Sequence, residues 1–319
     1  MTATLSTGTP LLAVHSVDEF VISVPDLEVA RHFYTSFGLD VRDEGNALAL
    51  YTFGHSHRWA RVLPSGNPGA RKRILWLSLG IYVADVPRFE RHLDEHKVAR
   101  VDPPTGADRD GLWIAGPDAL SIQLRVAEKS SPSQASPREF PHENRNIGRS
   151  LSRSKVPVVR PLYLSHILLF SADVDAARLF YEDVLGLRLS DKSGSVIAFM
   201  HSPHGSDHHL IALAKSGGVG LHHSSWCVPS IDSVGIGMEQ MAAAGYVQGW
   251  GVGRHVLGSN YFRYVRDPWG SYSEYSFDID YVQAGDDWPA ADHPGEDSLY
   301  VWGPSLPEDF IVNYELPPA

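Results

Sequence analysis

Residues Val24–Tyr34 read VPDLEVARHFY, and residues Ser171–Tyr181 read SADVDAARLFY. Each stretch runs on into Gly-Leu, as FGL ending at Leu39 and LGL ending at Leu187, and each is preceded by a β-branched run, EFVISV or HILLFS. Both copies therefore spell a strand, a turn built on Asp, and an amphipathic helix with apolar residues at three- and four-residue steps. In the second copy Val174, Ala177, Leu179, Phe180 and Val184 are expected to form the buried stripe. The repetition extends outward. LSLGIYVADV (77–86) matches HHSSWCVPSI (222–231), each leading into a helix-like segment. Gly116-Pro117-Asp118 matches Asp267-Pro268-Trp269-Gly270 as a tight turn before a final strand. Each half thus reads as two βαβββ units and the chain as four, an α+β architecture.

The repeat sets the expected boundaries: an N-terminal domain over 12–128, a linker over 129–160, a C-terminal domain over 161–283 and a tail over 284–319. From Ser130 to Pro161 the chain is rich in Ser, Pro, Arg and Asn and has no apolar period, the signature of a connector. The tail carries acidic residues and prolines but also Trp288, Tyr300, Trp302 and Phe310, so it is expected to pack on the body.

The 319 residues are 43% hydrophobic and 20% charged, ordinary for a globular chain, with room for a substantial core. A formal net charge of −11 and the lack of a long basic run argue against a nucleic-acid partner. Apolar stretches such as Leu162–Phe170 are strand length, well short of the roughly 20 residues of a membrane span. Met1–Pro10 lacks the charged-then-apolar layout of a secretory signal, and the single cysteine, Cys227, fits a reducing compartment. Cytoplasmic location is the expectation.

Equivalent positions in the two copies differ where it matters. Superposing the Phe-Tyr pairs sets His166 opposite Glu19; superposing the middle strands sets His223 opposite Ser78; superposing the Pro turns sets Glu274 opposite Gln123. One copy offers His, His and Glu, and the other Glu, Ser and Gln. That contrast points to a metal site in the second half only, with the first half as a structural partner. Two imidazoles and one carboxylate on facing strands make the facial triad of non-haem Fe(II) oxygenases, which leaves coordination positions open for a chelating diol and for O2. Zinc also accepts this donor set.

From Gly253 the chain reads GRHVLGSNYFRYVRDPWGSYSE, ending at Glu274. This resembles the ring-cleavage signature of the type I extradiol dioxygenases of the vicinal oxygen chelate superfamily, with His255, Tyr264, Asp267, Pro268, Gly270 and Glu274 in register. Arg263 departs from the pattern, standing where an apolar residue usually precedes the tyrosine, and is expected to face away from the site. The resemblance reaches back through DHHLIAL (207–213), which looks like the segment with the catalytic histidine, at His209 with His208 as the alternative. It also covers 221–228, where His223 takes the ligand position. It spans about the whole second half; the first half shares only the fold pattern. What it implies is two paired glyoxalase/bleomycin-resistance-like domains, Fe(II) on His166, His223 and Glu274 with Mn(II) as a substitute, and an assembly of identical chains. It further implies that His209 takes the substrate proton and later returns it, and that His255 and Tyr264 hydrogen-bond the substrate oxygens. The product would be a ring-opened semialdehyde.

Plainer readings stand beside these. A single histidine in a strand is usually structural or solvated, and His15, His32, His55, His57, His92 and His96 are read so. His201 and His204 fall in HSPHGSD, read as a solvated hairpin turn. Neighbouring strand residues point to opposite faces, so only one of His208 and His209 is expected to face the metal, with the other at the surface; His222 is assigned to support or packing. Cys227 is read as an inert buried thiol, and Trp226 and Trp269 as core. Two other functions compete with ring cleavage: a non-redox metal lyase or isomerase of glyoxalase type, and a metal-free binder of small aromatics. Metal content and oxygen uptake discriminate among the three.

Overall fold

The computed structural model describes residues 11–139 and 148–317. Residues 1–10, read above as lacking a signal, part of the 129–160 linker and the last two residues of the tail lie outside the described residues. The first half runs β1 (Ser16–Val24), α1 (Leu27–Ser36), β2 (Asp40–Glu44), β3 (Ala47–Tyr51) and β4 (Ala60–Pro64), then β5 (Arg73–Ile81), α2 (Val86–Glu95), β6 (Leu112–Ala115) and β7 (Ser121–Val126). The second runs β8 (Tyr163–Ser171), α3 (Val174–Asp183), β9 (Arg188–Ser193), β10 (Ile197–His201), the short β11 (Ser206–Asp207) and β12 (Ile211–Lys215). It continues with β13 (Gly220–Cys227), α4 (Ile231–Ala243), β14 (Gly249–His255), β15 (Tyr261–Arg266) and β16 (Tyr272–Phe277). The tail adds β17 (Tyr281–Val282), β18 (Ala291–Asp292), α5 (Gly295–Ser298) and β19 (Tyr300–Trp302).

Two large sheets result, in the orders β2-β3-β4-β1-β5-β7-β6 and β18-β9-β10-β12-β8-β13-β16-β15-β14-β19, and β11 pairs with β17 in a small third one. In each, the opening strand lies parallel to the last strand of its own unit, β1 with β4 and β8 with β12, and antiparallel to the opening strand of the next unit, β5 or β13. The second unit of the first half is incomplete: the strand after α2 shrinks to a single bridge between Arg100 and Ile114. Pro103 and Pro104 follow at once and have no N–H to give a ladder.

The helices start where Asp and Ser can cap them. Asp26 accepts from the backbone N–H groups of Glu28 and Val29, Asp173 from that of Ala176, and Ser230 from that of Ser233. On α3 the buried face is Val174, Ala177 and Tyr181, continued by Val184, while Leu179 is 46% exposed. Leu179 and Phe180 were expected in that stripe, but the three- and four-residue steps from Val174 pass through Ala177 and Tyr181 and leave Leu179 on the outer side, with Phe180 at the edge.

The Gly-Leu pairs lock the halves together. Gly38 has φ +96, and a side chain there would meet the Val159 carbonyl; Gly186 has φ +72, and a side chain there would meet the Leu12 carbonyl and Ala13. The segment leading into each opening strand therefore passes over the helix end of the opposite half, at the one residue type that allows both the left-handed turn and the close approach. Phe37 stacks on Tyr275 with ring centroids 4.0 Å apart, and the Tyr275 hydroxyl donates to the Phe37 carbonyl. A buried ion pair joins Lys72 of the first half to Asp267 of the second. No described helix is long and apolar enough to cross a membrane.

Candidate metal centre

The three central strands of the second sheet, β8, β13 and β16, carry the site. His166, Ser225 and Glu274 face one another in a single cross-strand row. His223 sits two residues from Ser225 on β13 and so on the same face. One donor atom from each of His166, His223 and Glu274 lies within 4.8 Å of the others, and all three residues are buried. His166 Nε2 is 3.4 Å and His223 Nε2 3.7 Å from Glu274 Oε2. The register corrects one alignment. In the first half the matching row is Glu19, Ser78 and Gln123, so Ser78 corresponds to Ser225, and the counterpart of His223 is Trp76. The sequence alignment slipped by two residues because it matched the polar residues to each other.

Hydrogen bonds behind the ligands fix which ring nitrogen carries the proton. The Ser165 hydroxyl donates to Asp207 Oδ2 at 2.6 Å, so its oxygen accepts from His166 Nδ1 at 3.2 Å. His222 Nε2 donates to the Phe310 carbonyl at 2.8 Å, so its Nδ1 accepts from His223 Nδ1 at 2.7 Å. Both ligand histidines are thereby left with a bare Nε2 turned toward a carboxylate. Burial pulls His166 down from its ordinary pKa and His223 well down, which keeps them neutral. Burial works to lift Glu274, but the polar groups packed around it outweigh that and hold it well below the usual carboxylate range. His223 Nε2 and Glu274 Oε2 are buried with no hydrogen-bond partner. Two lone pairs and an anionic oxygen converging with nothing between them is a set that a divalent cation fits.

Next to the triad is a cavity of about 60 Å3 whose wall includes His209, His255, Leu257, Asn260, Tyr264 and Phe310. His209 Nδ1 is 3.0 Å from His208 Nδ1, and the His209 ring lies against that of His166, with centroids 4.0 Å apart. Burial and the neighbouring imidazoles hold His209 well below its ordinary pKa. His255 donates from Nδ1 to the Leu299 carbonyl at 2.8 Å and receives the Tyr264 hydroxyl at Nε2, at 2.9 Å. His166, His209, His223, His255 and Tyr264 all line this cavity, with Glu274 against the ligand histidines. Arg263 turns away from the cavity, its guanidinium donating to the carbonyls of Gly251 and Val247. Cys227 is buried, its thiol pushed up to about 12 by desolvation, and it lies off the cavity. Two expectations fail. His208 is not at the surface but fully buried, and His201 is not a solvated turn residue but a buried one, bonded to Ser190 Oγ at 2.7 Å. HSPHGSD folds inward because Ser202 and His204 bond back to the carbonyls of Val14 and Ala13.

Residues 163–275 match the Glyoxalase/Bleomycin resistance protein/Dioxygenase superfamily. Metapyrocatechase 2 of Cupriavidus necator is 47% identical over 306 residues, 96% of this chain and 94% of that protein. The chain belongs to the extradiol ring-cleavage dioxygenases. Among solved structures, a halotolerant catechol dioxygenase superposes with a TM-score of 0.72 at 19% identity, covering 95% of this chain and 98% of that one. A Mn(II)-bound glyoxalase from Novosphingobium aromaticivorans superposes at 0.71 and 23% identity, covering 92% and 93%. Likeness at that identity is one of fold.

The first half of this dioxygenase fills the equivalent place with its own cation. Glu19 receives Arg58 Nε at 2.7 Å and Arg61 at 3.0 and 3.1 Å, and the Arg61 guanidinium lies 5.3 Å from the Trp76 ring centroid. Where the second half leaves a carboxylate facing bare nitrogens, the first closes a salt bridge over an aromatic ring. Sequence reading missed Asn260, whose amide nitrogen donates to Glu274 Oε1 at 3.2 Å and to Ser276 Oγ at 2.9 Å. The even spacing of Asn260, Phe262 and Tyr264 along one strand was the available signal.

Proposed function

We propose that the enzyme uses Fe(II), held by His166, His223 and Glu274, to cleave the ring of an uncharged catechol with O2, and that Mn(II) can take the place of iron. The observation that carries this reading is the convergence of His166 Nε2, the partnerless His223 Nε2 and the partnerless Glu274 Oε2 beside a cavity with a proton acceptor and two hydrogen-bonding groups. Bound iron supplies the electron path between diol and O2 that side chains lack. The protein's own part is placement and proton handling. His209 Nε2 has no hydrogen-bond partner among the described residues, so it is free to take the diol proton and to return it later. Tyr264 and His255 form a bonded pair at the cavity wall and orient the substrate oxygens. Leu168, Ile197, Phe199, Leu257, Leu299 and Phe310 supply an apolar wall, and among the described residues no Lys or Arg lines the cavity. A ring bearing hydrogen or alkyl substituents suits that wall, and a carboxylated ring does not, because its charge would be buried unpaired. We assign the first half a structural role and place the enzyme in the cytoplasm as an assembly of identical chains, which light scattering would check.

The test is oxygen uptake by anaerobically Fe(II)-loaded protein with catechol, an alkylcatechol and a carboxylated catechol, followed in parallel for a coloured ring-opened product. Uptake and colour with the first two, lost in Glu274→Ala, are expected. A tightly bound metal with no uptake on any diol would shift the reading to non-redox chemistry.

A further inference from the structure

Adjacent histidines meet the site twice, and in both pairs the two rings touch through Nδ1 atoms, His222 with His223 at 2.7 Å and His208 with His209 at 3.0 Å. The outer ring of each pair is anchored through Nε2. For His222 the anchor is a neutral carbonyl, that of Phe310. For His208 it is a carboxylate, Asp191 Oδ2, at 2.9 Å. We infer that His208 and Asp191 are positioning residues that hold His209 with its proton on Nδ1 and its Nε2 lone pair free in the cavity. This rests on the role proposed above for His209.

Donors and acceptors decide the tautomers. Asp191 receives four: His208 Nε2 at 2.9 Å and Trp288 Nε1 at 3.1 Å on Oδ2, and the Ala291 backbone N–H at 3.0 Å and His293 Nε2 at 2.9 Å on Oδ1. A carboxyl group encircled by donors has no use for a proton, so His208 must carry one on Nε2. With that proton alone His208 offers only an acceptor at Nδ1, and His209 supplies the Nδ1–H. The relay of hydrogen bonds starts at an anion and ends at a lone pair beside the metal ligands. An ionised acceptor also strengthens the bond it receives, roughly twofold over a neutral one. When His209 gains a second proton, the positive charge on its ring is met through His208 by the charge on Asp191. The carbonyl behind His222 offers no such charge, which suits a ring whose lone pair holds a metal.

The two pairs thus use one geometry for two tasks. Asp191 is also where the tail is tied down, since Trp288, Ala291 and His293 all belong to it. Its replacement disturbs that docking as well, so the cleaner probe is His208, whose side chain makes no hydrogen bond to the tail and meets it only by ring packing on Trp288.

The Fe(II)-loaded enzyme should be compared with His208→Gln and His208→Leu. Gln can accept from His209 and donate to Asp191 as His208 does, so it should keep a kcat close to that of the parent. Leu can do neither, and kcat should fall roughly a hundredfold or more, the size of a lost general base, with KM and iron content unchanged. Asp191→Asn turns an amide N–H on His208 and should invert both tautomers; the analogous change in serine proteases costs about four orders of magnitude in kcat. Nitrogen-15 spectra of histidine-labelled, metal-free protein, with His209 assigned by its loss in His209→Asn, should show the Nδ1–H form in the parent and the Nε2–H form in Asp191→Asn. Full kcat in His208→Leu, or an Nε2–H form in the parent, overturns the inference. If a variant does not fold, the parent spectrum alone decides. His209→Asn separates the two proposals: a slow His209→Asn beside a fast His208→Leu sinks only the positioning role, while a fast His209→Asn sinks both.

Discussion

Around Glu274 every neighbour has a single task. Oε2 is left bare for the cation, while Oε1 is held by the Asn260 amide. Replacing Asn260 with Ala should leave the ligands in place but loosen the carboxylate, weakening metal affinity by about 10- to 100-fold, as losses of outer-shell partners do. Metal titration of the folded variant is the check, and an unchanged affinity would remove Asn260 from the site. His209→Asn should behave oppositely, binding metal normally and turning over roughly 100-fold more slowly or worse. Much of this site was legible in the sequence, because the two copies of the repeat differ at His166 and Glu274, and because the Gly253–Glu274 stretch resembles a family signature. His222 was already assigned to support or packing, but how the tautomers are set stayed hidden. Ser165, Asp207 and His222 act through bonds that only the bulged pairing of β8 with β13 and the path of the tail create. A rule of alternating faces cannot foresee two adjacent histidines whose rings meet.

The elements of each unit followed from their Asp caps and apolar steps, while the contacts between units did not. Gly186 ends α3 in the left-handed region and is grazed by the Leu12 carbonyl. Gly186→Ala should destabilise the protein by at least 1–2 kcal/mol from backbone strain alone, and Gly38→Ala similarly; chemical denaturation would measure both. The tail contributes backbone rather than side chains where it matters most, the carbonyls of Leu299 and Phe310 receiving His255 and His222. No residue pattern announces a carbonyl, which is why those contacts were not foreseen. Further along, Glu315 pins the tail by accepting the Ile74 and Leu221 N–H groups, one from each half. Burial pushes its carboxyl from 4.5 up to about 7. The folded state then binds the proton more tightly than the unfolded state, so this group's contribution is fully present below pH 4.5 and is lost as pH rises to about 7. At roughly 1.4 kcal/mol per pH unit the change is on the order of 3 kcal/mol. The stability of the parent relative to Glu315→Gln should therefore fall between those pH values and level off above them, and a flat difference would contradict it.

At the scale of the whole molecule the two halves share a plan but not a charge economy. The first carries its cation on the chain, at Arg58 and Arg61 against Glu19; the second must take one from solution. Metal at a hundredfold excess over its Kd should add about 2.7 kcal/mol of stability, and that gain should be local. Hydrogen exchange after chelation should speed up in β8, β13 and β16 and leave β1, β5 and β7 as they were. Uniform acceleration across both sheets would mean that the halves unfold as one unit through the Phe37–Tyr275 and Lys72–Asp267 contacts. If the gain is local, the asymmetry decides how the enzyme ages in a cell short of its metal. Newly made chains would carry one sealed half and one with an uncompensated anion at its centre. Degradation would begin in the second half, and fragments retaining the first would persist longest. Metal supply would then set the amount of this protein as well as its activity.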